Sequence, residues 1–224
     1  MWVSLNEIES TALKAARGAG YNWGLAEEAG QAARWLAMRG LPWLKPLTAG
    51  VLRQMFRLES FDSAQQVGTS YGPSDPARRL GPISVLTALT GETLTLPQSS
   101  GELSLRSLAA PVLVLPALAR LSKRYNRALL VRWPGLAIEC HAGEVVTDAA
   151  SLGALDATRI DWLTITRSVA LSPVPPFASS LRHQGAEVDT MTWSELASFA
   201  NRNYVPEGET SRLRGAGTGL TDND

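Results

Sequence analysis

Lys14 and Arg17 stand three residues apart in LKAARG, and Glu27 and Glu28 follow Trp23 in WGLAEEAG. These residue types suit a small charged molecule. The two cations would hold a carboxylate, Glu27 or Glu28 would act as acid or base, and Trp23 would supply a flat apolar wall. Lys14 and Glu27 are therefore the catalytic candidates, with Arg17, Trp23 and Glu28 as binding residues. Near the other end Asn201 and Tyr204 would orient the molecule. Arg212, Asp222 and Asp224 lie in the glycine-rich run RLRGAGTGLTDND. Alternating glycines let a backbone pass close to a ligand or a partner strand. The expectation is a site for a small charged metabolite between an N-terminal helix pair and this tail, with the cofactor left unknown.

Other chemistry is excluded by the residues present. Gly215, Gly217 and Gly219 are spaced G-x-G-x-G, follow no strand pattern and open no helix, so a dinucleotide fingerprint is refused. No glycine-rich loop ends in Gly-Lys-Ser/Thr. With one cysteine and two histidines, His141 and His183, a zinc site of Cys and His ligands is not expected. Cys140 and His141 are neighbours in a strand pattern and would point to opposite faces, so Cys140 reads as a core thiol. Lys123, Arg124, Arg127 and Arg132 read as a solvated face.

The elements that must position these residues start with Ser4–Gly40. Ser4 with Glu7 forms a capping box. Leu5, Ile8, Ala12, Ala15, Ala16 and Ala19 fall on one arc of the first helix, which Gly18 is expected to end. The second helix is expected over about 24–39, with an arc of Leu25, Ala26, Ala29, Gly30, Ala32, Ala33, Leu36 and Ala37 and a stop at Gly40. Trp35 and Met38 fall on its water-facing side. They are covered by another layer, or they dock a partner enzyme as part of a non-catalytic subunit.

Further on, a helix is expected over 51–56, a loop over 62–79, and an apolar run of undecided type over 82–89. Strands are expected at 93–96 and 112–115, a helix over 118–127, a hairpin of 129–133 with 136–140, and strands at 145–147 and 163–169. Prolines at 173, 175 and 176 imply an extended connection. Thr192 with Glu195 reads as a second capping box for a helix ending near Tyr204. The fold class is α/β or α+β: an N-terminal helical pair, a central mixed sheet, and a C-terminal helix with a glycine-rich tail. The 224 residues are expected to make one domain, with a helical part at 1–60, a mixed core at 80–172 and the C-terminal helix and tail at 190–224.

Lys plus Arg equals Asp plus Glu, 21 each, which argues against a broad grip on nucleic acid or an anionic membrane. The apolar run 109–119 is broken by Pro111 and Pro116 and is too short to span a bilayer. A single cysteine and a capped helix near residue 1 point to the cytoplasm rather than to export. The oligomeric state is open between a homo-oligomer and a hetero-subunit.

The segments SLNEIESTALKAARGAGYNWGLAEEAGQAARWL and YVPEGETSRLRGAGTGLTDND resemble the two ends of a bacterial family catalogued only as a domain of unknown function. The resemblance covers the whole chain and implies a cytoplasmic bacterial protein with no established activity, so no catalytic residue carries over. The helix pair also resembles the N-terminal hairpin of the malate and sulfolactate type of dehydrogenase. A Ser-His-Gly segment follows there, whereas Arg39-Gly40-Leu41-Pro42 follows here.

Overall fold

The computed structural model describes residues 1–56, 61–96, 101–146, 149–168 and 184–203. After a short strand β1 (Trp2–Ser4), α1 (Leu5–Gly18) is capped by Ser4, whose hydroxyl accepts from the Glu7 amide at 3.2 Å. The alanine-rich arc is buried as its spacing dictates: Ile8, Ala12, Ala15 and Ala16 are fully enclosed. Helix α2 (Trp23–Met38) is capped by the Asn22 side chain. It packs antiparallel on α1, so closely that a Cβ at Gly30 would stand 2.8 Å from the Glu9 carbonyl.

Both helices end in a left-handed glycine, Gly20 and Gly40, each followed by a buried residue whose amide reaches back five positions. Tyr21 donates to Ala16 and Leu41 to Leu36, each at 3.0 Å. Gly18 therefore does not end α1 in the left-handed conformation. It is the last helical residue, and its missing side chain serves packing: a Cβ there would lie 1.9 Å from the Phe199 carbonyl oxygen of the C-terminal helix.

The chain continues through α3 (Leu44–Leu47), a π-turn and α4 (Arg53–Phe56). The expected loop over 62–79 contains a hairpin, β2 (Gln65–Val67) with β3 (Ser70–Gly72). Asp62 gathers the rest of that segment. Its carboxylate accepts from the Ser74 hydroxyl at 2.7 Å and the Asp75 amide at 3.2 Å, with Arg78 at 3.6 Å. The undecided run becomes α5 (Pro82–Thr90), with Pro82 in its first turn.

Two expected strands are absent from their places. Residues 93–96 form no strand, and 112–115 coil as a 3-10 turn (Pro111–Val114) into α6 (Leu115–Arg124). All of Val112–Leu115 is buried, and a continuously apolar run carries no period to separate strand from helix. β4 (Glu102–Ala109) forms where no strand is expected, as do β1, β2 and β3.

The hairpin β5 (Leu129–Trp133) and β6 (Leu136–His141) turns at Pro134-Gly135 as expected, β7 (Glu144–Val146) pairs beyond it, and β8 (Arg159–Arg167) lies between β4 and β5. The result is a mixed seven-stranded sheet of order β2-β3-β4-β8-β5-β6-β7, in which β3 and β4 run parallel. The fold class is α+β. Leu103, Leu105, Leu163, Ile165, Val131, Ile138 and Cys140 alternate onto the buried face, beneath α6 and the 111–114 turn.

A separate two-stranded sheet pairs β1 with β9 (Gly185–Glu187). Then α7 (Thr190–Asn201) packs across α1 and stacks Trp193 edge-on against Trp43. The cap of α7 is Asp189 rather than Thr192, so the helix starts three residues earlier than the Thr192–Glu195 pattern implies. Asp189 accepts from the Thr192 amide and hydroxyl at 2.8 and 2.7 Å, which leaves Glu195 to pair with Arg53. Among the described residues no helix is long and apolar enough to cross a membrane.

Candidate functional site

Of the residues that the sequence grouped, the structure describes Lys14, Arg17, Trp23, Glu27, Glu28 and Asn201. Arg17 and Trp23 do meet: the guanidinium lies 4.8 Å from the indole ring and donates to the Tyr21 carbonyl at 2.6 Å. Trp23 is 62% exposed. Lys14 is exposed on α1, where its carbonyl accepts from the Asn203 side chain and so ties α1 to the end of α7. Asn201 is exposed in the last turn of α7, and Glu27 is exposed on α2.

Glu28 turns to another flank and pairs with Arg120 of α6 at 3.2 Å. Tyr204, Arg212, Asp222 and Asp224, and with them the glycine-rich tail, lie outside the described residues, as do His183 and the Pro173–Pro176 connection. Trp35 and Met38 are half-buried against the core. Arg39 covers the indole at 3.9 Å while bonding both oxygens of Glu144 at 3.1 and 2.9 Å.

A better-formed concavity lies elsewhere, where the ends of α5 and α6 meet β5 and β8. This cavity of about 280 Å³ has a floor of Leu89, Leu94, Leu96, Leu121 and Leu129. Glu92, Thr95, Tyr125, Arg127 and Arg167 make its polar walls. Helix ends place them. Beyond α6 Asn126 adopts φ 49°, and the Arg127 amide reaches back to the Ser122 carbonyl at 2.9 Å, turning Arg127 onto the wall. Beyond α5, Glu92 takes φ 60°, a conformation disfavoured for a side chain of this kind.

The carboxylate of Glu92 is engaged by Arg124 at 2.9 Å and by the Tyr125 hydroxyl, a bond that raises the Tyr125 pKa. Arg167 stands opposite Leu129 in the β5–β8 register. Neither Arg127 nor Arg167 has an ion-pair partner among the described residues. Two guanidinium groups above a leucine floor are suited to a carboxylate attached to an apolar body. Sequence reading had Arg127 only as part of a solvated basic face and missed Arg167. Their signal is a strand register and a helix cap 40 residues apart in sequence, which no local spacing reveals.

No group of three or more His, Cys, Asp or Glu suited to a metal occurs among the described residues. Cys140 is fully buried. Burial, then the neighbouring Glu139 charge, pushes its pKa up to about 12, as for a core thiol and unlike a nucleophile.

Residues 3–79 match the family model described as Protein of unknown function (DUF3726). The matched segment holds the helix pair, the α3–α4 region and the β2–β3 hairpin, so the first of the two quoted segments falls within it. The second lies outside it. No curated protein and no solved structure matches the chain.

Proposed function

We propose that the protein binds a small carboxylate with an apolar body in the leucine-floored cavity, gripped by Arg127 and Arg167. One observation carries the reading: both arginines line a cavity whose base is aliphatic, and neither is neutralised by a described carboxylate. An anion seated between the exposed Arg167 and the half-buried Arg127 would accept charge-assisted hydrogen bonds from both, and the leucines favour one that brings its own apolar surface.

The helix-pair location has less to recommend it, since Arg17 is already committed to the Tyr21 carbonyl and the Trp23 face. The subunit alternative also finds less support, because Arg39 covers the indole of Trp35.

The test is calorimetric titration of the intact chain with hexanoate, hexylamine and hexanol. Hexanoate should bind saturably and the other two should not. Arg127→Gln and Arg167→Gln should each weaken hexanoate by about tenfold or more, the scale of one charge-assisted hydrogen bond. Equal binding of the amine, or undiminished hexanoate binding in the double variant, would sink the assignment.

A further inference from the structure

At the opposite end of the same sheet lies a second cavity, of about 470 Å³, lined by Arg79, Ser107, Pro134, Ala154, Ala157, Arg159, Ile160 and Asp161. Its polar groups come from three chain segments, each held by the fold.

Arg78 closes a turn, its amide donating to the Asp75 carbonyl at 2.9 Å, and Arg79 follows it. Arg78 is taken up by Asp62 and Asp75, at 3.6 and 3.7 Å, and Arg79 is left on the cavity wall. The next residue, Leu80, is fully buried. Its amide donates to the Ser107 carbonyl at 2.8 Å and its carbonyl accepts from Ala109 at 3.1 Å, which fixes the backbone beside Arg79. Arg159 and Asp161 are two apart on β8 and share a face. Ser107 sits at a kink in β4, with φ 55°, opposite the gap that Asp161 occupies in the β4–β8 register. On the far side, the Trp133 indole N–H donates to the Ala154 carbonyl at 3.3 Å and holds that wall.

Neither Arg79 nor Arg159 has a described ion-pair partner. The cavity therefore offers two guanidinium forks and, beside them, an acceptor carboxylate, while the Ser107 hydroxyl is taken up by the Arg78 carbonyl at 3.3 Å. Its apolar wall is made mostly of small residues, unlike the leucine floor at the other end. Guanidinium forks match the oxygens of a phosphate, and a carboxylate on the same rim would repel that phosphate but accept hydrogen bonds from hydroxyls attached to it.

We propose that this cavity binds a small hydroxylated phosphate ester, with Arg79 and Arg159 on the phosphate and Asp161 on a hydroxyl of the ester. The site is independent of the carboxylate cavity and shares no residue with it.

The experiment titrates the intact chain, at constant ionic strength, with inorganic phosphate, glycerol 3-phosphate and glycerol, using chloride as the control. Both phosphates should bind saturably, glycerol 3-phosphate the more tightly, and glycerol not at all. Arg79→Gln and Arg159→Gln should each weaken both phosphates by about tenfold or more at an unchanged melting temperature. Arg159→Lys, which keeps the charge but loses the fork, should fall between. Asp161→Asn should reduce the preference for glycerol 3-phosphate while leaving inorganic phosphate as tight or tighter. Absence of saturable binding above the chloride control, or binding that survives in the Arg79→Gln, Arg159→Gln double variant, overturns the site. An Asp161→Asn variant that keeps the full preference overturns the ester assignment. The Arg127→Gln, Arg167→Gln double variant should bind phosphate normally, so the two proposals fail separately.

Discussion

Cys140 shows how completely the environment of a residue sets its chemistry. It lies on the buried face of β6, opposite Leu129, under α6. A thiol held near pKa 12 by burial is protonated at neutral pH and has no route to a reagent. It should resist a thiol-reactive dye in the native protein and react fully once the chain is unfolded in denaturant. Rapid labelling of native protein at pH 8 would contradict this. Cys140→Ser puts a hydroxyl on a fully buried face, so it should lower stability by about 1–3 kcal/mol in denaturant titration. Hexanoate binding should be unchanged, because Cys140 lines neither cavity.

Helices in this molecule approach one another through missing side chains. Gly18 lets the Phe199 carbonyl of α7 sit against α1, and Gly30 lets α2 sit against the Glu9 carbonyl. Gly18→Ala cannot be absorbed by a rotamer change, because the obstructing atom is backbone at 1.9 Å. It should cost about 1–3 kcal/mol, as overpacked sites do. Gly24 provides the contrast within the same helix pair. It is exposed on α2, and a methyl group added there would have its nearest neighbour 3.9 Å away. Gly24→Ala should be neutral or stabilising by up to about 1 kcal/mol from helix propensity alone. Urea midpoints of the two variants decide it; equal effects would mean that the α1–α7 contact is not tight.

For the whole molecule, acid should act through two carboxylates, one that closes the 62–78 segment and one that caps α7. The Ser74 hydroxyl, then the Asp75 amide and Arg78, lower the pKa of Asp62. The Thr192 hydroxyl and amide lower that of Asp189 at the start of α7. A carboxylate lowered on folding stabilises the native state above its unfolded value, about 3.9, and that contribution is lost as pH falls through the folded value. Stability should therefore hold between pH 5 and 7 as far as these two groups are concerned, and decline below about pH 4. Asp62→Asn should lower stability at pH 6 and flatten the acid limb, as read by melting temperature against pH. An acid limb as steep as in the parent would remove Asp62 from this role.

Helix existence was legible wherever one face had to be buried and the other not. The arc from Leu5 to Ala19 and the arc from Ala26 to Ala37 follow from a period of 3.6, and Gly40 from the left-handed turn after α2. The β5–β6 hairpin followed from Pro134-Gly135 between apolar runs, and Cys140 from its place in that pattern. What local spacing does not encode is partnership. Val112–Leu115 is buried on all sides, so its lack of period left the choice between strand and helix to the packing around it. Asp189 capped α7 because a carboxylate there reaches both Thr192 groups, and Thr192 was thereby displaced as the cap. The same holds for both cavities. Arg127 meets Arg167, and Arg79 meets Arg159, only because β8 crosses the sheet between β4 and β5, a juxtaposition of residues 40 and 80 positions apart that belongs to the topology and not to any stretch of sequence.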